Sequence, residues 1–417
     1  MTLSCFDLGE RMLTVDEARE AILALAVSSL AHETLPLCEA HGRVLAESVV
    51  SPIDVPGNTN AAMDGIALQW SSEATSISSW RRVGQLFAGQ QYPSPLAADE
   101  CLGITTGAPM PPGADTVIMI EQLEEHDGRV VIDRPETVKR GQHVRQAGED
   151  IARGQLALAA GTRILAAELG LLASLGFDRV RVIRRPRVAL FSTGNEVTAP
   201  GTPLPPAGIY DANRFTLQGL VAEHGGEPID LGILPDDQDV LVDALEKAAD
   251  QADLIITSGG VSVGEADFTR TALAEVGELD FWRIAIRPGR PLACGTLGAQ
   301  RVPFLGLPGN PVAVMVTFLE LVAPLLSRLQ GRDITPLPIL SALAEHDMKS
   351  RVGRVDYLRG IYRCDDKGQL SVRSTGAQGS GILSSMVMAN CLIEISADRK
   401  SVTPGEAVTL HPLYRLP

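Results

Sequence analysis

From about Arg187 onward, short apolar runs alternate with amphipathic stretches, and this pattern constrains the fold more than any other feature of the chain. RVALFST reads as a strand, NRFTLQGLVAEH as a helix, IDLGIL as a strand and DQDVLVDALEKAA as a helix; DLIITS, FTRTALAEV, VPFLGL and PVAVMVTFLELV continue the series. Strands separated by helices can pair in parallel, so residues 183–331 are expected to form a doubly wound, mostly parallel sheet with helices on both faces. The flanking texture differs. Thr14 and Glu17 form a capping-box pattern, after which Val15, Ala18, Ile22 and Leu25 share one helical face. Residues 51–140 carry short apolar runs cut by Gly and Pro, the mark of an inserted β-rich unit. Residues 1–50 and 141–182, the latter with helical spacing from Ala166 to Leu175 and a stop at Gly176, read as two halves of one discontinuous linking domain. In 332–417 the segments VDYLRGIYRC, QLSVRS and CLIEIS predict a small C-terminal β-barrel or sandwich. The expected class is α/β with additional β domains.

Composition narrows the function. The 417 residues suffice for about three domains by the usual length prior and bury a sizeable core without difficulty. With 36 basic and 51 acidic residues the net charge is -15, which disfavours nucleic acid and anionic membranes as partners, so an anionic ligand requires a local basic pocket. The six cysteines include no CxxC pair and no zinc spacing, which suits free thiols in a reducing compartment. MTLSCFDLGERML has early acidic residues and no continuous apolar stretch, so a cytoplasmic location is expected. The most apolar run, Val312 to Leu326, is interrupted by Glu320 and Pro324 and is expected to be a buried or interface helix, too short for a bilayer.

In an open α/β sheet, ligands bind beyond the carboxyl ends of the strands. Three loops leave such ends with residues unlike those of mere connectors: STGNEV (Ser192, Thr193, Gly194, Asn195, Glu196), TSGGVSVGEAD (Ser258, Gly259, Gly260, Gly264, Glu265, Asp267) and LPGNP (Pro308, Gly309, Asn310, Pro311). The glycines let backbone amides turn inward and form an oxyanion nest; Asn310 and Pro311 start a helix whose amino end also favours an anion. Each loop alone is as well explained by a tight turn. No GxxxxGK[ST] and no GxGxxG is present, which disfavours a P-loop kinase or a Rossmann dehydrogenase.

Carboxylates occupy or adjoin the same loops: Glu196, Asp211, Asp236, Asp237, Glu265 and Asp267. Beside an anion nest they point to a bridging divalent cation, Mg2+ first; Asp236, Asp237 and Asp267 equally suit helix capping. Arg283, Arg287 and Arg290 in WRIAIRPGRP lie on a predicted strand and the turn after it, placed for bidentate oxyanion recognition or for protecting a strand edge.

Together the motifs resemble the molybdenum insertase family, known as MoeA in bacteria and as the E domain of gephyrin and its plant relatives. SPIDVPGNTNAAMDGIAL, TTGAPMPPGADTVI, VRQAGEDI, FSTGNEV, YDANR, TSGGVSVGEADF, FWRIAIRPGRP, GLPGNPVAV, GRVDYLR and TGAQGSGILSS occur in the family's order through nearly the whole chain. The resemblance implies an elongated four-part subunit that forms a homodimer. Its cleft would lie between the α/β domain of one subunit and the inserted β unit of the other. Asp64 and Asp150 would then come from one chain and Glu196, Asp236 and Asp267 from the other as catalytic, Mg2+-binding carboxylates. Arg283 and Arg287 would also act in catalysis. Arg287, Arg290, Pro291, Arg354 and Ser380 would line a molybdate pocket, while Thr106, STGNE, Asp211, the Gly-rich loop and LPGNP would hold adenylylated molybdopterin. The implied reaction puts molybdate on the pterin dithiolene and releases AMP with Mg2+ assistance. Transient contacts with the molybdopterin adenylyltransferase and with cofactor-accepting molybdoenzymes are implied as well. Arg283 and Arg287 stand where many relatives carry lysine, and Ile66 where an aromatic is common.

Two other functions remain in view: a noncatalytic molybdopterin carrier or scaffold, and an adenylyltransferase-like nucleotide enzyme. Asp64, Asp150, Asp236, Asp267 and Ser380 speak against the first; the inserted unit, GRVDYLR and the terminal β domain speak against the second.

Overall fold

The computed structural model describes residues 12–26, 30–70, 79–235, 237–259, 267–332 and 339–413, with 267–270 described by backbone only. Two compact units emerge, one comprising Met1–Glu33, Gly42–Ala46 and Val182–Pro417, the other Thr34–His41 and Glu47–Arg181. In the first unit, Glu227–Leu234, Arg187–Thr193, Leu254–Ser258 and Val302–Leu307 run parallel in that order. Pro291–Leu297 and Gly277–Arg283 extend the sheet antiparallel. The turn between Leu297 and Val302 is too short for the crossover a parallel pair needs, so the sheet is mixed at that edge.

Alternation along the strands feeds two cores. Val188, Leu190, Leu254, Ile256, Leu305 and Leu307 pack on one face with the helix Ala212–Glu223 and the helical stretch Pro311–Leu329. Ala189, Phe191, Ile255 and Phe304 pack on the other with Gln238–Gln251 and Asp267–Val276. Each large apolar side chain fully removed from water contributes about 1.5–3 kcal/mol, so both faces must stay covered. Thr14 closes the expected capping box on Glu17 and starts the helix Val15–Leu23, which buries Val15, Ala18 and Ile22.

The apolar helix departs from expectation in length and in regularity. Pro311–Leu329 spans 19 residues with mean hydropathy 1.8, long and apolar enough to cross a bilayer; 78% of that window is buried, the mark of a core helix. Its middle, Phe318–Val322, is a π-type turn between α-helical Pro311–Thr317 and Ala323–Leu329. Pro324 is the cause: it has no N–H to offer the Glu320 carbonyl and its ring crowds that oxygen, so the helix widens there.

The C-terminal part closes into a five-stranded barrel: Val355–Cys364, Leu370–Ser374, Leu340–Ala344, Ala407–Pro412 and Cys391–Ile395, the last returning to pair with the first. Ile286–Arg287 adds to the barrel in parallel with Val355 and Asp356. Arg283 and Arg287, expected on one strand and its turn, therefore belong to different sheets.

The second unit is β-rich. Its main sheet orders Thr116–Met119, Gly65–Leu68, Glu100–Ile104, Trp80–Leu86, Arg129–Ile132 and Leu123–His126, with a core on either face. Gly65 lies between two strands so close that a Cβ would come within 1.8 Å of the Ile118 carbonyl oxygen, which explains the glycine after Asp64.

Candidate functional site

The three singled-out loops leave the same edge of the parallel sheet. Gly259 takes a φ of +93° and its amide donates to the Leu307 carbonyl at 3.1 Å, tying the second loop to the third. Asn213, on the helix Ala212–Glu223, strengthens that tie: its Nδ2 donates to Ser258 Oγ and to the Gly309 carbonyl, both at 2.7 Å. Ser192 and Thr193 are buried at their strand end. The Ser192 hydroxyl donates to Asp211 Oδ1 at 3.0 Å. Asp211 caps the following helix through the Arg214 amide and takes Arg214 Nε at 2.8 Å, so it positions the first loop from beneath.

A cavity of about 650 Å³ opens where this edge meets the barrel. Gly259, Pro308, Gly309 and Asn310 line it from the sheet; Arg287 to Pro291 form one wall; Tyr357, Leu358, Arg359, Gln378, Gly379 and Ser380 complete it from the barrel. Gly289 holds a φ of +115°, and a Cβ there would lie 2.4 Å from Thr317 Cγ2, so only glycine lets the Arg287–Arg290 turn sit on the core helix. Asn310 occupies the N-cap position but makes no capping bond with its side chain. Instead the helix start is joined to the barrel, with the Val312 amide donating to the Ser380 carbonyl at 3.0 Å.

The electrostatics are one-sided: among the described residues, three arginines and no carboxylate line the cavity. Arg287 has an ion-pair partner, Asp356, fully buried and 3.3 Å away. Arg359 does not. It is 1% exposed, and Nε donates to Ser385 Oγ and Nη2 to the Gly379 carbonyl, each at 2.9 Å, with no carboxylate partner among the described residues. Burial and then the neighbouring Arg287 push its pKa down to about 10, still far enough above neutrality to leave it charged. An uncompensated buried guanidinium is costly, and a bound anion removes that cost.

Of the residues anticipated from sequence, the cavity gathers Gly259, Arg287, Arg290, Pro291, Pro308, Gly309, Asn310 and Ser380; Pro311 starts the adjoining helix. Arg354 lies outside it, lining an adjoining recess, with Nε 2.9 Å from Asp356 Oδ1 as an ion pair. Arg283 is exposed at the end of its strand, and Gly194, Asn195 and Glu196 lie in a turn apart from the cavity lining. Asp237 caps the helix Gln238–Gln251 through the Val240 amide. Asp236, Gly260, Gly264 and Glu265 lie outside the described residues, as does the side chain of Asp267. Thr106, Asp64 and Asp150 belong to the second unit. There Asp64 is exposed, and Oδ1 accepts the Thr106 amide at 2.6 Å and hydroxyl at 2.8 Å, which hold its carboxyl below the ordinary range and leave Oδ2 open. Among the described residues no three His, Cys, Asp or Glu side chains stand close enough to hold a metal.

Arg359, Gln378 and Asn213 are the contributors that residue reading did not single out. The available signal was an arginine framed by Leu358 and Gly360 inside an apolar strand, a position where charge is rarely placed without a task.

Comparison with known proteins gives a consistent result. Family models described as MoeA N-terminal region (domain I and II), probable molybdopterin binding domain, and MoeA C-terminal region (domain IV) match residues 13–176, 189–328 and 341–413. A molybdopterin molybdenumtransferase of Haemophilus influenzae is 43% identical over 97% of this chain and 100% of its own. One from a Nostoc species is 36% identical over 90% and 87%. The crystal structure of the molybdopterin biosynthesis moeA protein of Pyrococcus horikoshii OT3 superposes with a TM-score of 0.83 at 28% identity, covering 97% of this chain and 100% of that one.

Proposed function

The chain belongs to the MoeA family of molybdopterin molybdenumtransferases, and from that footing we propose how its residues insert molybdenum into molybdopterin. The carrying observation is Arg359, buried beside a cavity that also presents Arg287 and Arg290 and, among the described residues, no carboxylate. A tetrahedral dianion such as molybdate suits that wall. Guanidinium forks give paired charge-assisted hydrogen bonds to two oxygens at once, and Ser380 supplies a further polar contact. Arg359 takes the place of Arg354 in this reading, because Arg359 lines the cavity and Arg354 lines the adjoining recess.

The substrate carrying the dithiolene is adenylylated molybdopterin, held along the sheet edge by Ser192, Thr193, Gly194, Asn195, Ser258, Gly259 and Pro308 to Pro311. Ser192 is fixed for that task by Asp211, and the second and third loops by Asn213. The dithiol forms two Mo–S bonds as one molybdate oxygen leaves as water with the two thiol protons, and a water molecule cleaves the pterin–AMP phosphoanhydride so that AMP leaves. Mg2+ belongs to the same proposal: Asp64, Asp150, Glu196, Asp236 and Asp267 would hold it, hard carboxylate oxygens being its normal ligands. Asp64 suits the role by being anionic, exposed and open at Oδ2. When bound, the ion neutralises phosphate charge as the anhydride breaks. Asp64 and Asp150 belong to one compact unit and Glu196 to the other; the homodimer with shared clefts and the four-domain division stay in the proposal as what the family resemblance implies.

Equilibrium dialysis with molybdate tests the assignment. Arg359→Gln should weaken binding about a hundredfold, the scale of two charge-assisted bonds lost. Unchanged affinity in folded protein would remove Arg359 from the site.

A further inference from the structure

We infer that Glu320 and His411 act as a positioning pair that sets the barrel wall of the cavity against the sheet wall, a role resting on the oxyanion reading above. Glu320 is the residue that interrupts the apolar run, and in the structure it is 5% exposed within the π-type turn of the core helix. That helix begins at the cavity rim, directly after Asn310, so a load placed on Glu320 is transmitted to the sheet side of the site. On the barrel side, His411 Nδ1 lies 3.2 Å from Glu320 Oε1 and Nε2 2.6 Å from Glu394 Oε2. The Tyr357 hydroxyl donates to Glu320 Oε2 at 3.3 Å, and its ring meets the His411 ring edge-on at 5.3 Å.

Tyr357 is the connecting element. It shares the strand Val355–Cys364 with Arg359, two residues on and therefore on the same side, and both border the cavity. The N-terminal helix anchors the acid end: Arg19 Nη2 pairs with Glu320 Oε2 and Arg19 Nε donates to the Glu320 carbonyl, both at 3.1 Å. That carbonyl is the one Pro324 leaves without its helical donor. The charge sequence Arg19, Glu320, His411, Glu394, buried at Glu320 and half-buried at its ends, alternates in sign only while the imidazole is protonated. Burial opposes protonation, but the hydrogen bonds and charges of the two glutamates outweigh it and push the pKa up to about 9. A neutral side chain at 411 would leave two partly buried carboxylates on either side without the cation between them, and the barrel strand would move away from the helix. Arg359 would then be misplaced relative to Asn310 and Arg287.

The test is molybdate binding by the full chain at neutral pH for His411→Gln, Glu320→Gln, Glu394→Gln and Tyr357→Phe, with thermal unfolding and amide exchange of residues 355–364 and 377–383. His411→Gln and Glu320→Gln should each raise Kd about tenfold, speed exchange in both segments, and combine with no further loss. Glu394→Gln keeps the inner pair and should stay within threefold. A pair that only stabilises the fold would lower Tm and leave Kd and exchange at the cavity unchanged, which would overturn the inference. Should the two charge variants fail to fold, Tyr357→Phe decides: faster exchange with weaker binding supports positioning, and wild-type values refute it. If the wild-type chain binds no molybdate, the oxyanion reading falls, and exchange alone then judges the pair.

Discussion

Arg359 and Arg354 stand five residues apart in GRVDYLRG and are chemically the same, yet one faces the cavity while the other faces Asp356. Arg354→Gln should therefore leave molybdate affinity within about threefold, in contrast to Arg359→Gln, because the removed group lies outside the cavity lining. Titration calorimetry on both variants checks it. Which arginine mattered was not legible from residue order, because it depends on where the barrel strand starts and on its register. Gly65 illustrates the opposite case, a residue whose identity is set by space alone. Gly65→Ala would drive a methyl into the Ile118 carbonyl and should cost about 3 kcal/mol or more, measurable by denaturant unfolding; a loss under about 0.5 kcal/mol would show that the strands separate easily there.

At the scale of elements, the strand and helix alternation was readable because burial on two faces writes its period into the sequence, as Val188 and Ala189 show by feeding opposite cores. The antiparallel edge was not readable, since VPFLGL has the same composition whichever way its neighbour runs. Nor was the π-type turn, although its cause, Pro324, and the acid within it, Glu320, both stood out as interruptions. The clamp around that turn predicts how stability depends on pH. His411 faces Glu320 and Glu394 directly, Tyr357 edge-on, and Arg19 through Glu320. Its folded pKa of about 9 lies above the ordinary 6.5, so its contribution is complete below pH 6.5 and is lost as pH rises through 9. The loss is on the order of 2–3 kcal/mol. Urea unfolding between pH 6 and 10 should show this decline in the wild-type chain and a shallower one in His411→Gln; parallel curves would contradict it.

For the whole molecule, a net charge of -15 surrounds a cavity lined by arginine, so on the proposed function an oxyanion would be drawn by a local field opposed to the global one. Asp64 and Arg359 belong to different compact units, and the proposed function gives them different tasks. Asp64→Asn should bind molybdate with wild-type affinity yet lose cofactor formation by at least about a hundredfold, a transition-state charge effect rather than a ground-state one. The motif resemblance made Asp64 visible in the sequence, whereas Arg359 and the assignment of the two residues to different compact units had to come from the fold. The most direct test of the account is to give the purified protein adenylylated molybdopterin and follow AMP release and activation of an apo molybdenum enzyme, with and without molybdate. Active cofactor formed together with AMP, and only when molybdate is present, is the predicted result. Tight binding of the pterin with neither AMP nor active cofactor would contradict the account and leave a carrier in place of an enzyme.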